Sequence, residues 1–341
     1  MIGSTYSRKV ISENTLGKLL TKGKWLEGLL KDYKLPETIL TGKTHRQPKV
    51  LLYGSSINGT SLVAGDADYT ILFPVDGKES ESGATRIDSC LYTVEREKQE
   101  MVLSDVYKHI KTRTDDATTL KTQRIFRARV PIVACKQVSA DEDFKFDLSL
   151  SVDGVRNSFL LRQYTKGDPR LRLGILAAKQ WGREQKILDA RRGWISPYAL
   201  SIMYIYFMKE TGRLNNFLDE READEALAKL IASNDSTPEE YCGFYPIDVE
   251  AGSEVEKDIY DFFNFFGGGS AFDFDNDVVD IRVNANIKKK EEWLRSIESL
   301  DDTQKWHLLG HEVLLIRDPF ENHSLGRSVN FFQRRSNPGS I

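Results

Sequence analysis

Val50-Leu51-Leu52-Tyr53-Gly54-Ser55-Ser56-Ile57-Asn58-Gly59 leads on to Asp66-Ala67-Asp68-Tyr69-Thr70-Ile71-Leu72-Phe73. An apolar strand from Val50 to Tyr53 enters a Gly-Ser turn, and a second apolar strand begins at a pair of aspartates. Residues two apart in a strand share a face. Asp66 and Asp68 therefore project together, with Ala67, Tyr69 and Ile71 on the opposite face. Two carboxylates that close repel unless a cation lies between them, and hard oxygen ligands suit Mg²⁺. The Gly54-Ser55 turn offers backbone N–H groups and a hydroxyl to a phosphate. The combination suits a nucleoside triphosphate held by two metal ions.

A third carboxylate follows on Phe144-Lys145-Phe146-Asp147-Leu148-Ser149-Leu150-Ser151. Phe144, Phe146, Leu148 and Leu150 take one face, and Lys145, Asp147, Ser149 and Ser151 the other, which is the pattern of a half-buried strand. On a neighbouring strand, Asp147 would face the Asp66/Asp68 pair.

Gly-Ser-x-x-Asn-Gly, an aspartate pair and a lone aspartate on a Phe-Asp-Leu strand resemble the DNA polymerase β-like nucleotidyltransferases. Four later stretches narrow the likeness: Ala128–Val133, Ser151–Asn157, Trp194–Leu200 and Ile316–Val329. With them the chain resembles the terminal uridylyltransferases and non-classical poly(A) polymerases over roughly residues 48–330, and most closely the small trypanosomatid, editosome-associated RNA uridylyltransferases. The resemblance implies an α+β, two-domain nucleotidyltransferase. A mixed-sheet catalytic domain with flanking helices would span 35–155. A mainly helical base-recognition domain would span 156–335, with an insertion at about 215–260 and the active site in the cleft between the domains. Residues 1–34 read as a helical segment packing on the second domain.

The 341 residues suit two domains, and a hydrophobic content of 40% can fill their cores. Cys90, Cys135 and Cys242 are widely separated and form no Cys-x-x-Cys pair, so neither zinc nor a disulfide framework is expected. No apolar run is long enough to span a membrane. The net charge of −3 argues against a tight grip on long RNA. Short RNA contact, or delivery of RNA by an editosome-like protein complex, is expected instead. A mitochondrial location is implied by the resemblance and not by a readable targeting signal.

The segment at 75–96 reads as a polar loop, 98–113 as a helix, and 124–137 and 143–152 as strands. Asp168-Pro169 starts a helix running to about Lys186, with a capping side chain and a proline in the first turn. A second helix runs from Pro197 to about Gly212. The acidic stretch at 215–260 reads as lying outside the catalytic core, and Phe262–Phe266 is a dense aromatic cluster.

The resemblance assigns roles residue by residue. Lys179 and Arg183, four apart with Lys186 following, form a basic stripe placed to contact the triphosphate; without the family this is a solvated helix face. Arg183 stands where the small trypanosomatid enzymes more often have lysine, and binds phosphate as a fork. Tyr198 would stack on the base. Pro197 replaces a serine of the family pattern, which leaves Ser196 either to touch phosphate or simply to cap its helix. Asp318 and Glu321 match an acidic pair that orders a water under uracil, but Asp-x-x-Glu is also a helix capping box. His323 lies near a position that favours uracil in related enzymes. Asn157 matches a residue that reads the pyrimidine edge, and Arg129 lies near the base and the RNA end. Ser56 and Asn58 read as turn residues. Gly65 replaces the serine that usually precedes the aspartate pair.

The implied reaction is template-independent transfer of UMP from UTP to the 3′-hydroxyl of single-stranded RNA. Two Mg²⁺ ions (with Mn²⁺ as a substitute) would be held by Asp66, Asp68 and Asp147, with Gly54 and Ser55 at the triphosphate. A poly(A)-type polymerase on the same scaffold, a small-molecule nucleotidyltransferase and a non-catalytic nucleotide-binding scaffold are the alternatives.

Overall fold

The computed structural model describes residues 5–6, 9–40, 44–62, 66–75, 96–114, 119–126, 130–138, 143–214, 220–248, 250–267, 271–282 and 288–330. In chain order its elements are α1 (Glu13–Leu29), α2 (Glu37–Leu40), β1 (Lys49–Tyr53), β2 (Ala67–Leu72), α3 (Arg96–Arg113), β3 (Thr119–Ile125), β4 (Ile132–Val138), β5 (Phe144–Ser149) and α4 (Asp153–Gly167). Then follow α5 (Pro169–Glu184), α6 (Pro197–Glu210), α7 (Glu220–Ala232), α8 (Glu239–Cys242), α9 (Val255–Gly267), β6 (Val278–Val279), α10 (Lys290–Ser296), α11 (Asp302–Leu309) and β7 (Leu315–Ile316). The described residues fall into two units. A sheet unit holds those of 10–163 and 221–245, and a helical unit those of 1–9, 164–220 and 246–341.

The sheet unit is built on a mixed sheet of order β1-β2-β5-β4-β3. Only the β2–β5 pair is parallel. One face is apolar and covered by helices: α1 packs on β1 and α3 on β4. There the Tyr69 hydroxyl donates to the Leu19 carbonyl of α1, and Gly23 lets the helix approach the Tyr69 ring, where a Cβ would lie 3.3 Å away. The expectation that the N-terminal helix packs on the second domain is thus corrected. The buried face of β1 and β2 offers α1 an apolar surface for Leu16 and Leu26.

The stretch at 124–137 is likewise two antiparallel strands rather than one, with Ile125 opposite Ile132. Pro131 has no N–H to give a ladder and sits just ahead of β4, a position proline tolerates.

The acidic stretch at 215–260 is not wholly outside the catalytic core, although its residues from 246 on belong to the helical unit. Residues 221–245 belong to the sheet unit. Lys49 at the head of β1 donates to the carbonyls of Leu230 and Ile231 at the end of α7, and the Tyr241 hydroxyl donates to the Leu52 carbonyl. The Arg162 guanidinium, 2% exposed, donates to the carbonyls of Ile57, Glu240 and Gly243 at 2.9, 3.2 and 2.7 Å. One cation thereby ties the turn after β1, the helix α4 and the α8 region together. Charge-assisted bonds to backbone compensate the desolvation of that cation.

In the helical unit, α5 and α6 begin as their sequences demand. The Asp168 and Ser196 side chains accept from the N–H groups of Leu171 and Ala199, with Pro169 and Pro197 in the first turns. The aromatic cluster is core. Phe262 and Phe266 of α9 are buried, and Phe262 and Phe263 pack on Tyr204 and Trp181, with ring centroids 5.1 and 4.3 Å apart. Asp258, fully buried on the same helix, is held by Arg170 and Arg213. A short parallel pair, β6 with β7, carries the segment that leads to Asp318.

Candidate active site

Register places two of the three aspartates together. Asp68 of β2 lies opposite Asp147 of β5 and, on its other side, opposite Tyr53 of β1. Paired residues point to one face, and this is the face away from α1 and α3. Both carboxylates are half-buried. Burial pushes the Tyr53 phenol above its ordinary range, with Asp68 the next cause and Asp147 a smaller one. Burial likewise pushes the Cys135 thiol up to about 12, with Asp147 adding to it from across the sheet.

Asp66 precedes β2 and is exposed, so no ladder bond fixes its direction. Among the described residues no three carboxylate, imidazole or thiol groups converge closely enough to hold an ion. The expectation of a closed three-aspartate set is therefore met only in part. The donor chemistry still fits a hard divalent cation: two facing carboxylates on one sheet face, with a third two residues away.

The turn supplies the tightest constraint. Gly54 has φ +75°, and a Cβ there would come within 2.6 Å of Asp68 Oδ2. Only glycine lets this backbone turn pass beside the carboxylate. The Gly54 N–H donates to Ser158 Oγ of α4 at 2.6 Å, so it is committed within the protein; the expected phosphate donor in the turn narrows to Ser55. Ser56 and Asn58 are buried turn residues, as read from the sequence. The Asn58 carboxamide oxygen accepts from both the N–H and the hydroxyl of Thr60. Helix α4 starts against the same turn: a Cβ on Gly154 would lie 2.3 Å from the Tyr53 ring. One turn further along α4, Asn157 Oδ1 is buried and has no hydrogen-bond partner among the described residues. Arg129 and Gly65 lie outside the described residues, as do 76–95 of the polar loop.

In the helical unit the expected residues fall on α5, α6 and the loop after β7. Lys179 is buried and Arg183 exposed on α5. The basic stripe ends there, because α5 stops at Glu184 and Lys186 turns left-handed at φ 59°. Tyr198 is half-buried in the first turn of α6. Ser196 caps that helix by accepting the Ala199 N–H, which leaves its hydroxyl proton available as a donor. Asp318 is 2% exposed, and its Oδ1 accepts from the N–H groups of Phe320 and Glu321. This is the capping geometry expected, but no helix follows: the chain bends back and the Asp318 N–H donates to the His323 carbonyl. His323, also buried, turns its Nε2 to within 3.8 Å of Asp318 Oδ2. Sequence reasoning missed Tyr53, Ser158 and Gly154, whose parts depend on register and helix packing rather than on any local pattern.

Residues 31–166 match the family described as poly(A) RNA polymerase, mitochondrial-like, central palm domain. The chain is 31% identical over 166 residues to Poly(A) RNA polymerase GLD2 of Homo sapiens, a match taking in 48% of this chain and 31% of that protein. It is 43% identical over 67 residues to Terminal uridylyltransferase 3 of Trypanosoma brucei brucei, 20% of this chain and 8% of that one. The chain thus spans less than a third of the length of these curated relatives. The fold is similar to Terminal uridylyl transferase 4 from Trypanosoma brucei with bound dUTP, at a TM-score of 0.70 and 19% identity, covering 99% of this chain and 94% of that one. RNA Editing TUTase 1 from Trypanosoma brucei is similar at a TM-score of 0.70 and 15% identity, covering 99% and 83%.

Proposed function

We propose, for a chain that belongs by its palm region and its fold with the terminal uridylyltransferases and poly(A) RNA polymerases, that it transfers UMP from UTP to the 3′-hydroxyl of RNA without a template. The observation that carries the transfer reading is the in-register pair Asp68 and Asp147 beside the Gly54–Ser55 turn. Enzymes of this family generally use divalent metals. Here Asp66, Asp68 and Asp147 would hold Mg²⁺, or Mn²⁺ in its place. Bound there, the metal would acidify the attacking hydroxyl and offset the charge of the triphosphate.

The chain's own residues supply the rest. Ser55 offers its N–H and hydroxyl to the triphosphate, and Lys179 and Arg183 neutralise it. Asp147 accepts the proton of the 3′-hydroxyl as its oxygen bonds to the α-phosphorus and pyrophosphate leaves. Tyr198 gives the base a face to stack on. Asn157 reads the base edge: its buried Oδ1 lacks a donor among the described residues, and the uracil N3–H is such a donor.

Uracil choice rests on Asp318 and Glu321, with His323 positioning Asp318. Uridylate is supported by the fold likeness, and the GLD2 identity favours adenylate as the second reading. A mitochondrial setting and an editosome-like complex are proposed on the sequence resemblance alone. The deciding experiment is extension of a 3′-hydroxyl RNA oligomer with Mg²⁺ and each triphosphate supplied singly. Extension with UTP alone is expected, and Asp68→Ala or Asp147→Ala should abolish it. Extension with ATP alone would move the assignment to a poly(A) polymerase, and an Asp68→Ala protein active at the wild-type rate would end the metal assignment.

A further inference from the structure

The sheet face that bears Asp147 also bears a row of lysines. Lys145 of β5 lies directly opposite Lys136 of β4, and Lys136 directly opposite Lys121 of β3. Lys145 is two residues from Asp147, so the row runs on the same face, next to the row formed by Asp147, Ala134 and Gln123. Lys121 and Lys145 are exposed. Lys136 reaches Asp143 at 2.5 Å, with both side chains more than a third exposed, an arrangement that contributes little. Among the described residues no ion pair involves Lys121 or Lys145.

Like charges directly opposite one another weaken a sheet. Three in succession form a local positive strip in a chain whose net charge is −3. The strip crosses two strand spacings, about 10 Å, at regular intervals, and its inner end lies beside a carboxylate of the candidate site. An anion of repeating charge entering or leaving that site matches it in sign, and the flexible lysine side chains can reach successive charges.

We propose that Lys145, Lys136 and Lys121 form a track for the phosphates of the RNA segment just upstream of the reacting 3′ end, an inference that rests on the RNA-transfer reading above. The track is short. It therefore reconciles RNA binding with the acidic balance of the whole chain.

The test uses the variant with Lys121→Thr, Lys136→Thr and Lys145→Thr together, threonine being at home in strands. Binding of a fluorescent single-stranded RNA of about 12 nucleotides is followed by anisotropy over a salt series, alongside the KM for RNA and for the nucleotide. The dissociation constant should rise about tenfold or more at low salt, and the slope of log K against log salt should flatten by about 2, since each single-strand phosphate contact contributes roughly 0.7. The KM for RNA should rise while that for the nucleotide holds. The urea midpoint should be no lower than wild type, because repulsion has been removed. The single variant Lys145→Thr should flatten the slope by about 0.7. A triple variant with wild-type RNA affinity and salt slope would overturn the track alone. A wild-type protein that extends RNA with none of the triphosphates would overturn the transfer reading and the track with it.

Discussion

Gly54→Ala would place a methyl where the Asp68 carboxylate lies. Two effects add. A Cβ residue held at φ +75° costs about 1–2 kcal/mol. The Cβ would also stand 2.6 Å from Asp68 Oδ2, whereas ordinary contact begins at 3.4 Å. The carboxylate must therefore retreat by about 0.8 Å, or the turn must shift by as much. A displacement near 1 Å at a reacting centre lowers turnover about 100-fold. Gly212→Ala is the control: its φ is +67°, and nothing lies within 4 Å of the added methyl. Gly212→Ala should lose about 1–2 kcal/mol in urea unfolding followed by circular dichroism, and Gly54→Ala at least as much, since it carries the clash as well. They should part by about 100-fold in steady-state RNA extension, with Gly212→Ala close to wild type. If Gly54→Ala turned over within about threefold of Gly212→Ala, the carboxylate position could not matter as argued.

Other perturbations follow from the packing. Arg162→Met strands the buried carbonyls of Ile57 and Gly243 and removes the part-buried bond to the Glu240 carbonyl, and should lower stability by about 2–3 kcal/mol; a change below about 1 kcal/mol would refute the tie between α4 and the α8 region. Asp258→Ala removes the buried carboxylate that Arg170 and Arg213 share, leaving Arg170 with Glu254 and Arg213 with Asp261 as their remaining partners. The two arginine side chains are 30% and 23% exposed, so solvent screens them and the expected loss is about 2–3 kcal/mol, read as a lowered Tm and partly recovered by adding Arg170→Met. Burial holds the phenols of Tyr53, Tyr69, Tyr204 and Tyr241 above their ordinary value of 10.0. The unfolded chain then releases protons first, so stability is full below pH 10 and falls above it, by about 1 kcal/mol per tyrosine between pH 10 and 11 and approaching about 1.4 kcal/mol per pH unit beyond. Urea midpoints that stay level between pH 10 and 11 would contradict this.

Much of the site was legible because its signals are local. The glycine of a strand-ending turn, a carboxylate on the polar side of an alternating strand, and Asp-Pro or Ser-Pro at a helix start each act within a few residues. Lys186 shows where such reading fails. It continues the spacing of Lys179 and Arg183, yet the helix ends before it, and a heptad of sequence does not say where a helix stops. Asp318 shows a second limit. Its capping chemistry was correct, but the chain that follows folds back to His323 because β7 is already paired with β6, which a pattern of four residues cannot reveal.

The sequence by itself determined the strands that carry Asp68 and Asp147, the glycine turn before them and the helices that begin at Asp168 and Ser196, because periodicity and capping depend on near neighbours alone. Only the tertiary structure decided that α1 covers the sheet unit, that residues 221–245 return to it through Lys49 and Arg162, and that three lysines stand in one row. Those outcomes depend on register and on contacts between distant segments. In a sheet, a shift of one residue reverses every face, and no local stretch of sequence records which register its partners will adopt.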